Sequence, residues 1–144
     1  MSKPMNYVEI AKSVAIGAHS GQFRKDGVTP YITHPETVAA TVAHLGTEYE
    51  ATAWLHDVLE DCPEAAPLVP WSVLPESVKC AVELLTKRSD QNYLEYVLAC
   101  YGNPIATAVK AADIKHNLST GAMKGSMADK WRLALFLLTA ERFK

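Results

Sequence analysis

The segment from residue 51 to residue 61 constrains the fold most, because it combines a helical apolar pattern with a cluster of polar groups. At about 100° per residue, one side of this segment consists of the apolar residues Ala51, Leu55, Val58 and Leu59. The other side carries an imidazole and three carboxylates, from His56, Asp57, Glu60 and Asp61. A solvated acidic face is the ordinary interpretation, but like charges four residues apart destabilise an exposed helix, and this face has no Lys or Arg. A bound cation would remove the repulsion, so the segment suggests a metal site.

The remainder of the chain also predicts helices, and the expected fold class is all-α. No segment shows the sustained alternation of apolar and polar residues that marks a half-buried strand. Helices are predicted over residues 6–18, 35–45, 47–61, 75–85, 91–101 and 104–117, and from residue 126 onward. Capping signals mark several helix starts, namely His34 before Pro35, Asn103 before Pro104, and capping boxes opened by Thr47 and Ser126.

Length and composition predict one ordinary domain that spans residues 1–144. Hydrophobic residues make up 49% of the chain, and the net charge of −2 argues against non-specific nucleic-acid binding. No apolar run is long enough for a membrane span, and residues 1–4 do not open a signal peptide. The three widely spaced cysteines are typical of reduced thiols. We therefore expect a cytoplasmic protein with no nucleic-acid or membrane partner. A homo-oligomer is compatible with the chain, although no residue identifies an interface.

Asp113 is the second residue whose position needs an explanation. It lies in the middle of a predicted helix, between apolar residues, where a carboxylate has no capping role. An exposed ion pair with Lys110 or Lys115 is one explanation. A buried carboxylate needs a partner, and a metal ion is the other explanation.

Two imidazoles and two carboxylates from three predicted helices form a candidate ligand set: His34, His56, Asp57 and Asp113. Nitrogen and oxygen donors without a thiolate suit manganese, iron, cobalt or magnesium better than a structural zinc. They also leave positions open for water. Of the other histidines, His44 is expected at the surface, and His116 is expected either beside the ligands or packed in the core.

These residues carry a family resemblance. The pattern H…HD…D resembles HD-domain metal-dependent phosphohydrolases. The closer similarity is to the (p)ppGpp hydrolase domain of RelA/SpoT-type enzymes of the stringent response, and to their single-domain relatives, the small alarmone hydrolases. The matching segments are residues 23–27, 30–35, 55–61 (with the form HD-x-x-ED), 109–120 and 131–135. Their order and approximate separations match across nearly the whole chain.

The resemblance implies a helical HD-domain fold in which the metal site lies between helices. It implies one manganese ion, held by His34, His56, Asp57 and Asp113. It also implies that Glu60 and Asp61, one turn beyond the HD doublet, orient or deprotonate the attacking water and assist the leaving group.

The resemblance also implies a nucleotide site. Arg24 and Lys25 would lie against the guanine base or the phosphates, and Asn117 and Thr120 would contact the sugar and phosphates. Lys110 and Lys115 are further phosphate partners by charge and helix position alone. Three features depart from the family pattern: a loop between Arg24 and His34 that is one residue longer, Cys62 in place of a small hydroxyl residue, and a proline-rich segment at residues 63–75.

The implied function is a cytoplasmic, manganese-dependent hydrolase. It would remove the 3′-pyrophosphate from guanosine 3′,5′-bis(diphosphate), (p)ppGpp, or from a closely related nucleotide. The alternative enzyme is an HD phosphohydrolase for another small phosphorylated metabolite, such as a nucleoside monophosphate. A different class is a non-catalytic module that binds a nucleotide or neutralises a toxin. That class predicts damaged ligands, whereas this chain retains all four ligands together with Glu60 and Asp61.

Overall fold

The computed structural model describes residues 6–121 and 125–140, and the regular structure within these ranges is helical. Eight α-helices follow one another in the described chain: α1 (Tyr7–Ala18), α2 (Thr33–Val42), α3 (Thr47–Leu55), α4 (Val58–Asp61), α5 (Glu76–Leu85), α6 (Tyr93–Tyr101), α7 (Pro104–Ser119) and α8 (Ser126–Thr139). Short 3₁₀ helices occupy Ala43–Leu45, Pro63–Leu68 and Trp71–Val73. The prediction of an all-α fold is confirmed. None of the described helices is both long and apolar enough to cross a membrane.

Helix α3 lies at the centre of the fold. It packs against α1, α2, α5 and α7, and its last five residues, Ala51, Thr52, Ala53, Trp54 and Leu55, are all buried. A helix that is covered on all sides belongs in a core. Helix α7 in turn packs against α2 and α3, so these three helices contact one another in pairs. The candidate site forms where they meet.

The predicted cap at Asn103 is confirmed. The side-chain oxygen of Asn103 accepts a hydrogen bond from the backbone N–H of Ala106 at 2.9 Å, and Pro104 follows as the first residue of α7. Asn92 provides an equivalent cap for α6 in a capping box with Glu95, which the sequence analysis missed.

Three of the predicted caps are wrong. Helix α2 begins at Thr33, so His34 lies inside its first turn and makes no cap. Helices α3 and α8 do begin at Thr47 and Ser126, but their N-cap residues are Gly46 and Gly125, without a side-chain cap. Both glycines have positive φ angles, 137° and 64°, so the backbone enters each helix through a turn that a side chain would disfavour. The hydroxyl group expected to cap α3 instead hydrogen-bonds the hydroxyl of Tyr7.

The different caps predict different costs of substitution. Asn103→Ala removes an observed capping bond at the start of α7, and we expect it to lower the free energy of unfolding by about 1 kcal/mol. Ser126→Ala removes a hydroxyl that caps nothing, so it should change stability by less than about 0.5 kcal/mol. Urea unfolding of the two variants and the parent chain measures both values. Equal losses in the two variants would contradict the assignment of the caps.

Candidate metal centre

All four predicted ligands meet in the structure. One donor atom from each of His34, His56, Asp57 and Asp113 lies within 4.8 Å of the others. The first comes from the first turn of α2, the next two from the junction of α3 and α4, and the last from the middle of α7. The two histidines and Asp113 are buried, with at most 5% of their surface exposed. The cluster therefore depends on the packing of α2, α3 and α7 against one another.

The central segment is not one helix, contrary to the prediction for residues 47–61. Helix α3 ends at Leu55, and α4 begins after Asp57. The carbonyl of Ala53, which would accept the Asp57 N–H in an uninterrupted α-helix, instead accepts from the backbone N–H of His56 at 3.4 Å. The imidazole of His56 bonds the same carbonyl at 2.6 Å. This double use of one carbonyl interrupts the helix at the HD doublet.

The hydrogen bond to Ala53 also fixes the orientation and tautomer of His56. A carbonyl only accepts, so Nδ1 of His56 must carry the proton. In the neutral ring, Nε2 then presents a lone pair to Asp57 Oδ2 at 3.1 Å and to Asp113 Oδ1 at 3.3 Å. Such an arrangement needs a second proton on the ring or a cation between the donors. The donor set therefore fits a divalent metal ion, because metal-binding histidines commonly donate their other ring N–H to a carbonyl, as His56 does to Ala53.

Both oxygens of the Asp113 carboxylate have polar partners. Its Oδ2 accepts from the ammonium group of Lys110 at 2.8 Å. Its Oδ1 accepts from the amide of Asn117 at 3.1 Å and lies 2.7 Å from Nε2 of His34. Burial alone would raise the pKa of Asp113, but Lys110 and the two cluster histidines hold it well below its usual range. The carboxylate is thus ionised within the core.

Lys110 is therefore a partner of the cluster and is largely shielded from solvent. Its side chain is 13% exposed, and its ammonium group lies 5.2 Å from the ring centre of Tyr96. The ion pair between Asp113 and Lys110 that the sequence left open exists, but it is largely buried inside the cluster and not exposed as expected. The idea that Lys110 contacts phosphate has no support in this geometry.

Tyr31 is a site residue that the sequence analysis did not single out. Its hydroxyl donates to Asp57 Oδ2 at 2.6 Å. Burial and the charge of Asp57 raise the pKa of this hydroxyl above its ordinary value, so it remains a hydrogen-bond donor. One signal could have identified Tyr31: it lies three residues before His34, inside the matching segment 30–35.

Glu60 and Asp61 lie on α4, directly after the doublet, and both are exposed. Partial burial, the larger cause, and the charge of Asp57, the second, raise the pKa of each carboxyl above its ordinary value.

Cys62 ends this short helix and is fully buried. Its thiol donates to the carbonyl of Ala18 and accepts from the amide of Gln22, both at 3.3 Å. The unusual cysteine therefore anchors the end of α4 to the end of α1.

Three of the four predicted nucleotide-binding residues contact one another. The guanidinium of Arg24 donates to Asn117 Oδ1 at 2.8 Å and to the hydroxyl of Thr120 at 3.1 Å. Arg24, Thr120 and the fourth residue, Lys25, line a cavity of about 320 Å³. Because Asn117 also donates to Asp113, its amide links the ligand cluster to this cavity.

His116 lines the same cavity and also contacts the cluster. Its Nδ1 lies 2.7 Å from Nδ1 of His34. Burial and the neighbouring His34 lower the pKa of His116. Of the two alternatives left by the sequence, the structure places this histidine beside the ligands.

Metal binding to this cluster should release protons. Burial lowers the pKa of His56, but Asp57 and Asp113 outweigh burial and raise it well above its ordinary value in the metal-free protein. A metal ligand must be unprotonated, so a divalent ion displaces that proton and binds more tightly as the pH rises. Titration calorimetry in two buffers with different ionisation heats should therefore give different apparent heats. Identical heats in both buffers would contradict this charge assignment.

Sequence comparisons relate the chain to alarmone enzymes, although no protein-family model matches it. It is 36% identical over 119 residues to the guanosine-3′,5′-bis(diphosphate) 3′-pyrophosphohydrolase of Haemophilus influenzae. It is 33% identical over 120 residues to the bifunctional (p)ppGpp synthase/hydrolase SpoT of Escherichia coli K12. Each match covers 74% of this chain. The chain spans only 17% of the length of each relative.

A structural comparison gives the fold. A solved structure described as a metazoan ortholog of SpoT that hydrolyses ppGpp matches with a TM-score of 0.71 and 20% identity. The match covers 97% of this chain and 89% of that chain. At this level of identity the likeness establishes the architecture alone. The chain is thus a sequence relative of the guanosine-3′,5′-bis(diphosphate) 3′-pyrophosphohydrolases and has the all-α fold of a SpoT-type structure, as its motifs predicted.

Proposed function

We propose that the chain is a metal-dependent phosphohydrolase that removes the 3′-pyrophosphate from (p)ppGpp. The observation that carries this proposal is the position of a complete four-donor cluster beside a cavity lined by two cations, Arg24 and Lys25. A metal ion held by these donors would attract phosphoryl oxygens, and the side-chain cations would bind the remaining phosphate charge. The names of the relatives support the same substrate class.

For the metal ion we propose manganese, held by His34, His56, Asp57 and Asp113. When bound, such an ion neutralises negative phosphoryl oxygens and makes water more acidic. The protein contributes the geometry, because each cluster histidine has its Nδ1 occupied by a hydrogen-bond partner while its Nε2 faces the carboxylates. We also propose that residues 1–144 form one domain, since α3 packs against helices from both halves of the chain. We propose the cytoplasm as its compartment.

Glu60 and Asp61 supply the proton transfers in this proposal. Their carboxyl groups have raised pKa values, which suits groups that exchange protons near neutral pH. One carboxylate accepts a proton from the water that attacks the phosphorus next to the 3′ oxygen. The bond between that phosphorus and the 3′ oxygen breaks, and the 3′ oxygen receives a proton from the other carboxyl group, which is protonated before the reaction. The products are pyrophosphate and GDP or GTP.

Arg24, Lys25, Asn117 and Thr120 bind the nucleotide in this proposal. Arg24 is held in place by its hydrogen bonds to Asn117 and Thr120. A positioned guanidinium offers a flat face to a base and a fork of donors to a phosphate. The amide nitrogen of Asn117 is already bonded to Asp113, so this residue aligns the nucleotide site with the metal donors.

The proposal predicts release of pyrophosphate from ppGpp and pppGpp in the presence of Mn²⁺. The same assay should give no release from GMP or GTP, and release from the adenine analogue of ppGpp would extend the substrate to a closely related nucleotide. Asp57→Asn removes a ligand charge with little change in shape and should lower kcat at least about 100-fold. Asp90→Asn is the matched control, because this carboxylate is 72% exposed and pairs with Arg88. Phosphate release from GMP alone would replace this proposal with a nucleoside monophosphatase.

The proposal also predicts that Arg24 acts mainly in substrate binding. Arg24→Gln should raise KM for ppGpp by about 10- to 100-fold, the cost of losing charge-assisted hydrogen bonds. The effect on kcat should be smaller, because the metal donors remain in place. Arg88→Gln is the control, since Arg88 is 69% exposed and does not line the cavity. A fall in kcat with unchanged KM would contradict the binding role.

A further inference from the structure

The contact between His34 and His116 is a hydrogen bond between two imidazole rings. Their Nδ1 atoms are 2.7 Å apart, the ring planes differ by 14°, and the ring centres are 5.0 Å apart. That separation is about as large as the nitrogen–nitrogen distance permits, so the rings lie edge to edge in nearly one plane. In this geometry an N–H on one ring points along the lone pair of the other.

One proton must lie between these two nitrogens, and its location decides whether His34 can bind a metal ion. If Nδ1 of His34 donates, the Nε2 of the neutral ring has a free lone pair. That Nε2 is the atom which lies 2.7 Å from Asp113 and 3.6 Å from Asp57, inside the ligand cluster. If His116 donates instead, a neutral His34 carries its proton on Nε2 and cannot be a ligand.

We infer that His116 is a positioning residue whose Nδ1 accepts the Nδ1 proton of His34 and so selects the metal-binding tautomer of that ligand. The inference rests on the metal site of the proposed function. Its counterpart within the same cluster is the bond between His56 and the Ala53 carbonyl. A carbonyl can only accept, whereas an imidazole can also donate. The tautomer of His34 therefore depends on a side chain, and that of His56 on the backbone.

The role of His116 can be tested with two variants of similar shape. In His116→Asn, the amide oxygen branches from the same carbon as the imidazole Nδ1 and restores an acceptor. In His116→Leu, a methyl group takes that place. Calorimetric titration with Mn²⁺ should show affinity about 10- to 100-fold lower in His116→Leu, the usual cost of losing a partner of a metal-binding histidine. His116→Asn should recover most of this loss. His44→Leu is the control, because His44 is exposed outside the cluster.

The outcomes separate this inference from the proposed function. If the parent chain binds Mn²⁺ and both His116 variants bind it equally well, or if Asn and Leu cause equal losses, the inference is overturned and the metal site stands. If the parent chain binds no divalent ion, the metal site fails and the inference fails with it.

A measurement on the unmodified chain avoids the risk that a variant misfolds. Long-range ¹H–¹⁵N correlation spectra report which nitrogen of each imidazole carries the proton. With a diamagnetic ion such as Zn²⁺ bound, His34 should be protonated at Nδ1, and His116 should be unprotonated at Nδ1. A proton found on Nδ1 of His116 in the metal-bound chain would overturn the inference.

Discussion

The candidate site depends on the buried carboxylate of Asp113. A charge in the core is costly unless several groups compensate for it, and here Lys110, Asn117 and two imidazoles do so. These groups come from α2, α7 and the junction of α3 and α4. The same contacts that make the charge tolerable therefore hold the helices in register. Stability and ligand geometry have one physical origin in this part of the molecule.

The cluster and the cavity share side chains, so they cannot be treated as separate sites. Asn117 bonds Asp113 on one side and Arg24 on the other. His116 contacts His34 and also lines the cavity. A shift of the loop that carries Arg24 would therefore reach Asp113 through one side chain of α7, that of Asn117. This short path suits phosphoryl transfer, in which positioning provides most of the catalysis.

The sequence was sufficient for the fold class and for choosing four donors that the structure brings together, because both depend on strong local patterns. Apolar periodicity located the helices, and the cap at Asn103 was correct because its signal lies within four residues. Contacts between distant segments were not predictable in this way. Tyr31 meets Asp57 only after α2 packs on α3. Lys110 was assigned to phosphate because no local pattern shows that its side chain is largely shielded from solvent. The caps at Thr47 and Ser126 failed since a preceding glycine supplied the turn.

The break between α3 and α4 has a consequence for any attempt to stabilise the protein. His56 and Asp57 lie where the hydrogen bonding of α3 stops, and both present a donor atom to the cluster. There the Ala53 carbonyl accepts from the backbone and the ring of His56, so the helix break and the orientation of His56 depend on one acceptor. Substitutions that favour one continuous helix through this segment would strengthen local structure, but they would give the Ala53 carbonyl to the Asp57 N–H and so compete with the bond that orients His56. The helix is thus interrupted at the residues that form the cluster, as expected when activity and stability favour different local structures.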